Sequence, residues 1–308
     1  MRRPLMLAIF KLQVATVFCV GMGSLVRAQP IDNPDLFALA SQVAEEVELV
    51  REFMGRPFDD SPRIPASNVS QPAVYFQAQT LFRKVNQLAQ TFAGTPRVAA
   101  PALPEGDVEP AHTHRVLTEA MEQVGLVKRA LGIETQVEAV SSGSASATGV
   151  FMTIIDLNRQ LNLLIDEPIG PSDVFDQMTL AVLYGAGILA KYGIEDLPPP
   201  AEFDGHKRPA DVYGLLLEEI NRVSRLSDRA GVDVLRLSPT RNIPDDIEPG
   251  HVYDVARILV AGLAVLADGL DAQDVYPALE QPERIFPTQV YARATVLQRQ
   301  LQQLEPLL

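Results

Sequence analysis

Apolar residues recur at steps of three and four in eight separate stretches of the chain. One runs Leu36, Ala40, Val43, Val47, Val50, Met54 and the next Val74, Ala78, Leu81, Val85, Leu88, Phe92. Later ones read Val150, Ile154, Leu157, Leu161, Leu164 and Val252, Ala256, Leu259, Leu263, Leu266, Leu270. This is the period of a helix with one apolar face, sustained for longer than strands run. Each stretch opens on an apolar residue or Thr followed by an aromatic residue or His: Leu36-Phe37, Val74-Tyr75, Thr113-His114, Val150-Phe151, Val174-Phe175, Val212-Tyr213, Val252-Tyr253 and Val290-Tyr291. The pattern predicts an all-α protein of eight helices.

The ends of the stretches agree. Pro34, Pro72, Pro110, Pro171, Pro209, Pro249 and Pro287 sit where a first helical residue loses nothing by lacking an N–H. Gly55, Gly94, Gly132, Gly193, Gly231 and Gly269 follow the last periodic residue, where a left-handed cap is expected. The fourth and eighth stretches stop instead at Glu167-Pro168 and Glu305-Pro306. That shared exception divides the helices into two sets of four.

Sliding the chain on itself by 138 to 140 residues brings the sets into register with identities. Leu157-x-Arg159-Gln160-Leu161 meets Leu297-x-Arg299-Gln300-Leu301, and residues 107–112 (DVEPAH) meet 246–251 (DIEPGH). The expectation is two tandem, internally duplicated four-helix bundle units packed together, 29–168 and 169–308. Connections of about 16 residues exceed the usual 2 to 8 of bundles. Up-down order is the simplest arrangement, although an extended chain of that length can span a whole helix. The nearly all-apolar run 255–266 and the small residues Gly185 and Gly187 place the fifth and seventh helices deepest. The aromatic after each opening residue is read as packing at the helix ends.

Arg2 and Arg3 precede an apolar run over 12–23 that ends in Val26-Arg27-Ala28, the form of a secretory signal peptide. Residues 1–28 are therefore read as a leader, with the mature chain starting near Gln29 in a periplasmic or secreted location. The whole chain carries 26 basic and 39 acidic residues, net −13. Loss of the leader removes Arg2, Arg3, Lys11 and Arg27 and leaves 22 against 39, net −17. That charge disfavours nucleic acid and anionic lipid surfaces and suits a partner with a basic surface. Cys19 is the only cysteine, so a disulfide framework and a Cys metal site are excluded from the mature chain.

Chemistry-bearing residues are few. His112 and His114 lie two apart and point to different faces, unlike the i, i+4 pair of a helical metal site. Together with the absence of Glu-x-x-His and Cys-x-x-Cys-His patterns, this predicts no metal and no cofactor. Gly-x-Ser-x-Gly and phosphate-cradling glycine loops are also missing, so no catalytic residue is assigned and the chain is read as a non-enzyme. The favoured function is an exported envelope protein that binds a partner or acts as a scaffold. The alternative is a periplasmic small-molecule binder, with a pocket between helices or copies where Gly185, Gly187 and Gly262 leave room. Candidate binding residues are Glu45, Glu46 and Glu48 as an exposed edge of the first helix, and the equivalent pairs Glu109 with His112 and Glu248 with His251. Glu219 falls where Leu81 stands in the second helix; a small rotation that builds the stripe from Leu216, Ile220 and Val223 turns it out to solvent.

Overall fold

The computed structural model describes residues 30–60, 65–104, 106–138, 143–165, 169–238, 243 and 246–308. The leader, Cys19 and the start near Gln29 lie outside these residues, as do parts of the Ser-rich connection around 141–149 and of the 166–171 junction. Among the described residues there are eight α-helices: α1 Asn33–Met54, α2 Gln71–Ala93, α3 Pro110–Leu131, α4 Ala147–Asn162, α5 Pro171–Lys191, α6 Pro209–Ala230, α7 Pro249–Gly269 and α8 Pro287–Leu304. One departure from an all-helical chain is a two-residue antiparallel ladder, β1 Ala66–Ser67 with β2 Arg236–Leu237, where two extended connections run side by side.

The predicted punctuation is seen in the backbone. Pro occupies the first turn of seven helices, and Gly55, Gly94, Gly132, Gly193 and Gly231 adopt positive φ at or just past a C-terminus. Gly269 departs from the expectation. It stays helical, and Asp271 takes the left-handed conformation instead, at φ 47°. A Cβ on Gly269 would lie 2.6 Å from Val232, so this glycine serves a close approach of the α6–α7 connection.

Contacts divide the helices into two groups. α1 and α2 each pack against α3 and α4 but not against each other, and α5 and α6 likewise each pack against α7 and α8. In each group the first and second helices are thus diagonal in space, as are the third and fourth, while the second and third are neighbours. The up-down order is not what forms: within each group the helices run parallel. In the second group Pro171, Pro209, Pro249 and Pro287 converge at one end around a shallow dent, with Val174, Val212, Val252 and Val290 one turn in. In the first group Gln71 Nε2 reaches Asn33 Oδ1 at 2.8 Å, joining two helix starts, and Tyr75 and Arg115 interact one turn in on α2 and α3.

The long connections make this possible by returning along the helices. Pro199, Ala201 and Lys207 bond to Arg299, Thr295 and Thr288 in turn, so the α5–α6 connection descends α8 from its C-terminal towards its N-terminal end. Val98, Pro101 and Ala102 descend α2 in the same way, through Asn86, Gln79 and Tyr75. Parallel dipoles repel, and acids at the positive ends offset that cost: Asp32, Asp35, Glu109, Asp173, Asp211 and Glu248 all lie at a cap or in a first turn.

The two groups meet through α7, which packs on α2 and α4, and residues Ile31–Leu308 form one compact unit. α2 and α7 run antiparallel, because Phe76 and Thr80 meet Arg257 while Arg83 and Lys84 meet Tyr253 and Asp254. α7 is long and apolar enough to cross a membrane, but 83% of that stretch is buried inside the protein, as befits a central core helix. α5, expected to share this depth, packs on α7 and α8 within its own group.

The residues that open the eight stretches form the innermost layer at the helix starts, and all eight are buried. Seven are Leu or Val. The eighth, Thr113, has a buried hydroxyl with no hydrogen-bond partner. Thr113→Val removes that orphan without changing shape and should stabilise the protein by about 1 kcal/mol; a lower melting temperature in the variant would mean that the hydroxyl is bonded in solution.

Candidate functional site

The densest polar constellation lies in the interior, at the junction of α2, α4, α5 and α7. Lys84 of α2 is 1% exposed, and its Nζ donates to Asp254 Oδ1 of α7 at 2.6 Å and to the Asn158 carbonyl of α4 at 2.9 Å. Asn162 Nδ2 holds the other oxygen of Asp254 at 3.1 Å. Burial pushes the Lys84 ammonium below its ordinary pKa, while Asp254 draws it back up. One turn along α7, Arg257 donates from Nε to Thr80 Oγ1, from Nη1 to Gln177 Oε1, and from Nη2 to the Phe76 carbonyl and Gln79 Oε1. Its guanidinium also lies over the Phe76 ring at 4.8 Å. Arg83 completes the set, bridging Tyr253 at 2.7 Å and Asp173 of α5 at 2.8 Å.

Every one of these groups is engaged with another helix. Both acceptors of Lys84 Nζ belong to neighbouring helices, and burial pushes the Tyr213 phenol up to about 12, so it stays protonated at neutral pH. The arrangement ties four helices across the junction, and its chemistry is that of a structural lock. None of Lys84, Asp254 or Arg257 was among the residues singled out from the sequence. The available signal was a pair of charges, Asp254 and Arg257, inside a stretch otherwise apolar on every side, since a charge there must find a buried partner.

The candidates from the sequence fall elsewhere. His112 and His251 do the same work at the starts of α3 and α7: each accepts the N–H of its N-cap, Glu109 at 3.0 Å and Glu248 at 3.1 Å, on Nδ1. A backbone N–H can only donate, so the ring proton sits on Nε2. These two pairs are capping devices, and they lie on different helices of different groups. Glu45 is exposed as expected. Glu46 is not: it is largely buried, pairs with Lys128 of α3, and accepts the Val137 N–H. Glu48 is bound to Arg51 through two hydrogen bonds, and that guanidinium lowers its pKa. The three acids therefore do not form one free edge, because α3 and the α3–α4 connection close over Glu46.

Glu219 is fully buried, in contrast to the rotation expected for α6. That helix is covered on two sides, with Leu215, Leu216, Leu217, Ile220 and Val223 all buried, so no small turn brings residue 219 to solvent; Glu218 is the exposed one. Burial raises the Glu219 pKa to about 7 against the pull of Arg222. The glycines expected to leave a pocket are occupied. A Cβ on Gly185 would meet the Gln300 side chain at 2.6 Å, one on Gly187 would meet the Gln273 carbonyl oxygen at 2.4 Å, and Gly262 faces Val223. Among the described residues no group of three His, Cys, Asp or Glu side chains is placed to hold a metal ion.

Comparisons of the chain with models of known protein families, with curated proteins and with solved structures give no match.

Proposed function

We propose that this chain is an exported, non-catalytic helical scaffold of the cell envelope, built from two tandem copies of one parallel four-helix unit, 29–168 and 169–308, that binds a partner with a basic surface. Three correspondences support the duplication. Contacts within α1–α4 repeat within α5–α8. His112 and His251 cap equivalent helices in one way. Lys84 donates to the Asn158 carbonyl, and Arg222, 138 residues later, donates to the Gln298 carbonyl.

The observation that carries the binding role is the C-terminal end of α1. Phe53 and Phe58 are 59% and 58% exposed there, with the exposed acid Glu52 next to Phe53 and the exposed Glu45 about two turns back along α1. Large apolar side chains bordered by charge mark protein contact surfaces. The buried lock between the groups supplies the rigidity that such a surface needs.

Capture of envelope proteins by cross-linking should test the reading. Replacing both Phe53 and Phe58 by Ala should lower recovery of the partner by tenfold or more, since each aromatic anchor contributes about 1 kcal/mol or more. Glu45→Gln with Glu52→Gln should weaken it less, and raised salt should reproduce that loss. A partner set indifferent to all four changes and to salt would exclude this face.

A further inference from the structure

Glu219 has no exposed surface, yet only one of its oxygens is bonded. Oε1 accepts from Gln298 Nε2 at 3.1 Å, while Oε2 has no hydrogen bond. The nearest cation is Arg222 Nε, 3.6 Å from Oε2, and that buried nitrogen also lacks a hydrogen bond. The same nitrogen stands 3.4 Å from Oε1 of Glu305, the C-cap of α8. One guanidinium thus lies between two carboxylates and closes on neither.

Arg222 Nη1 donates to the Gln298 carbonyl at 3.4 Å. Glu218, Arg222 and Arg225 act on Glu219 from its own helix, Glu305 from α8 lies across Arg222, Arg229 of α6 donates to the Glu305 carbonyl at 2.9 Å and keeps that tie in both states, and α7 meets this part of α6 with Gly262 against Val223. Two ionised carboxylates around one buried guanidinium leave an uncompensated negative charge, which burial penalises. The balance between a neutral and an ionised Glu219 falls near neutral pH.

We infer that Glu219, Arg222 and Glu305 form a proton-operated latch on the end of α8. With Glu219 neutral, Arg222 serves Glu305 and ties the last turn of α8 to α6. When Glu219 gives its proton to solvent, Arg222 is drawn inward to the new carboxylate, and the Glu305 side chain is released, loosening residues 305–308 while Leu304 stays in the core. The hydrogen bonds that would loosen are those from the Glu305, Leu307 and Leu308 N–H groups to Leu301 and Leu304. Glu305 is the residue whose side chain is already partly exposed, so its release needs no opening of the core.

Hydrogen exchange of these three amides, corrected for the intrinsic pH dependence of exchange, reads the latch directly. Protection in the full chain should fall about fivefold, the equivalent of one ion pair, as pH rises through about 7. Glu219→Gln should keep the low-pH protection at every pH, and Glu305→Gln should be loose at every pH. Carbon-detected titration of the Glu side chains supplies a second reading, with one resonance moving near pH 7 in the native protein and absent in Glu219→Gln. A flat protection profile, a step that survives Glu219→Gln, or a Glu219 resonance that titrates with the ordinary carboxylates would each overturn the proposal.

Discussion

Lys84→Ala is expected to destabilise the protein by about 3 to 5 kcal/mol, the usual result of removing one member of a buried ion pair. Asp254 would remain 6% exposed with only Asn162 as partner, and the Asn158 carbonyl would lose its donor. The pair itself is a weaker source of stability than this figure suggests, because bringing both charges out of water offsets most of their attraction. Lys84→Met combined with Asp254→Leu should therefore recover most of the loss and can exceed the native stability. Urea midpoints of Lys84→Met, Asp254→Leu and the double variant separate these terms. Additive losses in the double variant would show that each residue acts through packing alone and that the lock between α2 and α7 is not electrostatic.

Local structure was legible in the sequence because it is set by local physics. The three-and-four spacing names most of the buried face of α1: Leu36, Ala40, Val43, Val47 and Val50 are all buried, and Met54, the last of the series, is half-buried at the helix end. Proline at the first turn and glycine beyond the last fix most helix ends to within a residue. Helix direction was not legible. An apolar stripe buries equally well against a parallel or an antiparallel neighbour, and short loops are what usually decide between the two. Here the connections are long enough to return along α2 and α8, and that freedom removed the constraint. The same limit hid the lock, since Lys84 and Asp254 are 170 residues apart and are joined only by how the two groups dock. Glu46 misled for a related reason: its place beside the stripe is at the edge of α1, but which edges α3 covers depends on the order of helices around the group.

Glycine in mid-helix gives the other large expected effect, and its sign depends on what lies opposite. In an exposed helix, Gly→Ala stabilises by about 1 kcal/mol through reduced backbone entropy. Gly262 is in ordinary contact, with its nearest neighbour, the Val223 side chain, 3.5 Å from an added Cβ, so Gly262→Ala should be neutral or stabilising. Gly187 is different. Its added Cβ would sit 2.4 Å from the carbonyl oxygen of Gln273, a backbone atom, and the Gln273 N–H bonds the Gly187 carbonyl at 3.2 Å. The α7–α8 connection lies directly on α5 at this point and cannot retreat without losing that bond. Overpacking of this kind costs about 1 to 3 kcal/mol and the lost bond about 1 more, so Gly187→Ala should destabilise by about 2 kcal/mol net of the helix gain. Thermal melts of the two variants, side by side, make the comparison. If Gly187→Ala were as benign as Gly262→Ala, the connection would have to stand away from α5 in solution, and the close packing seen at Gly187 would not describe the native state.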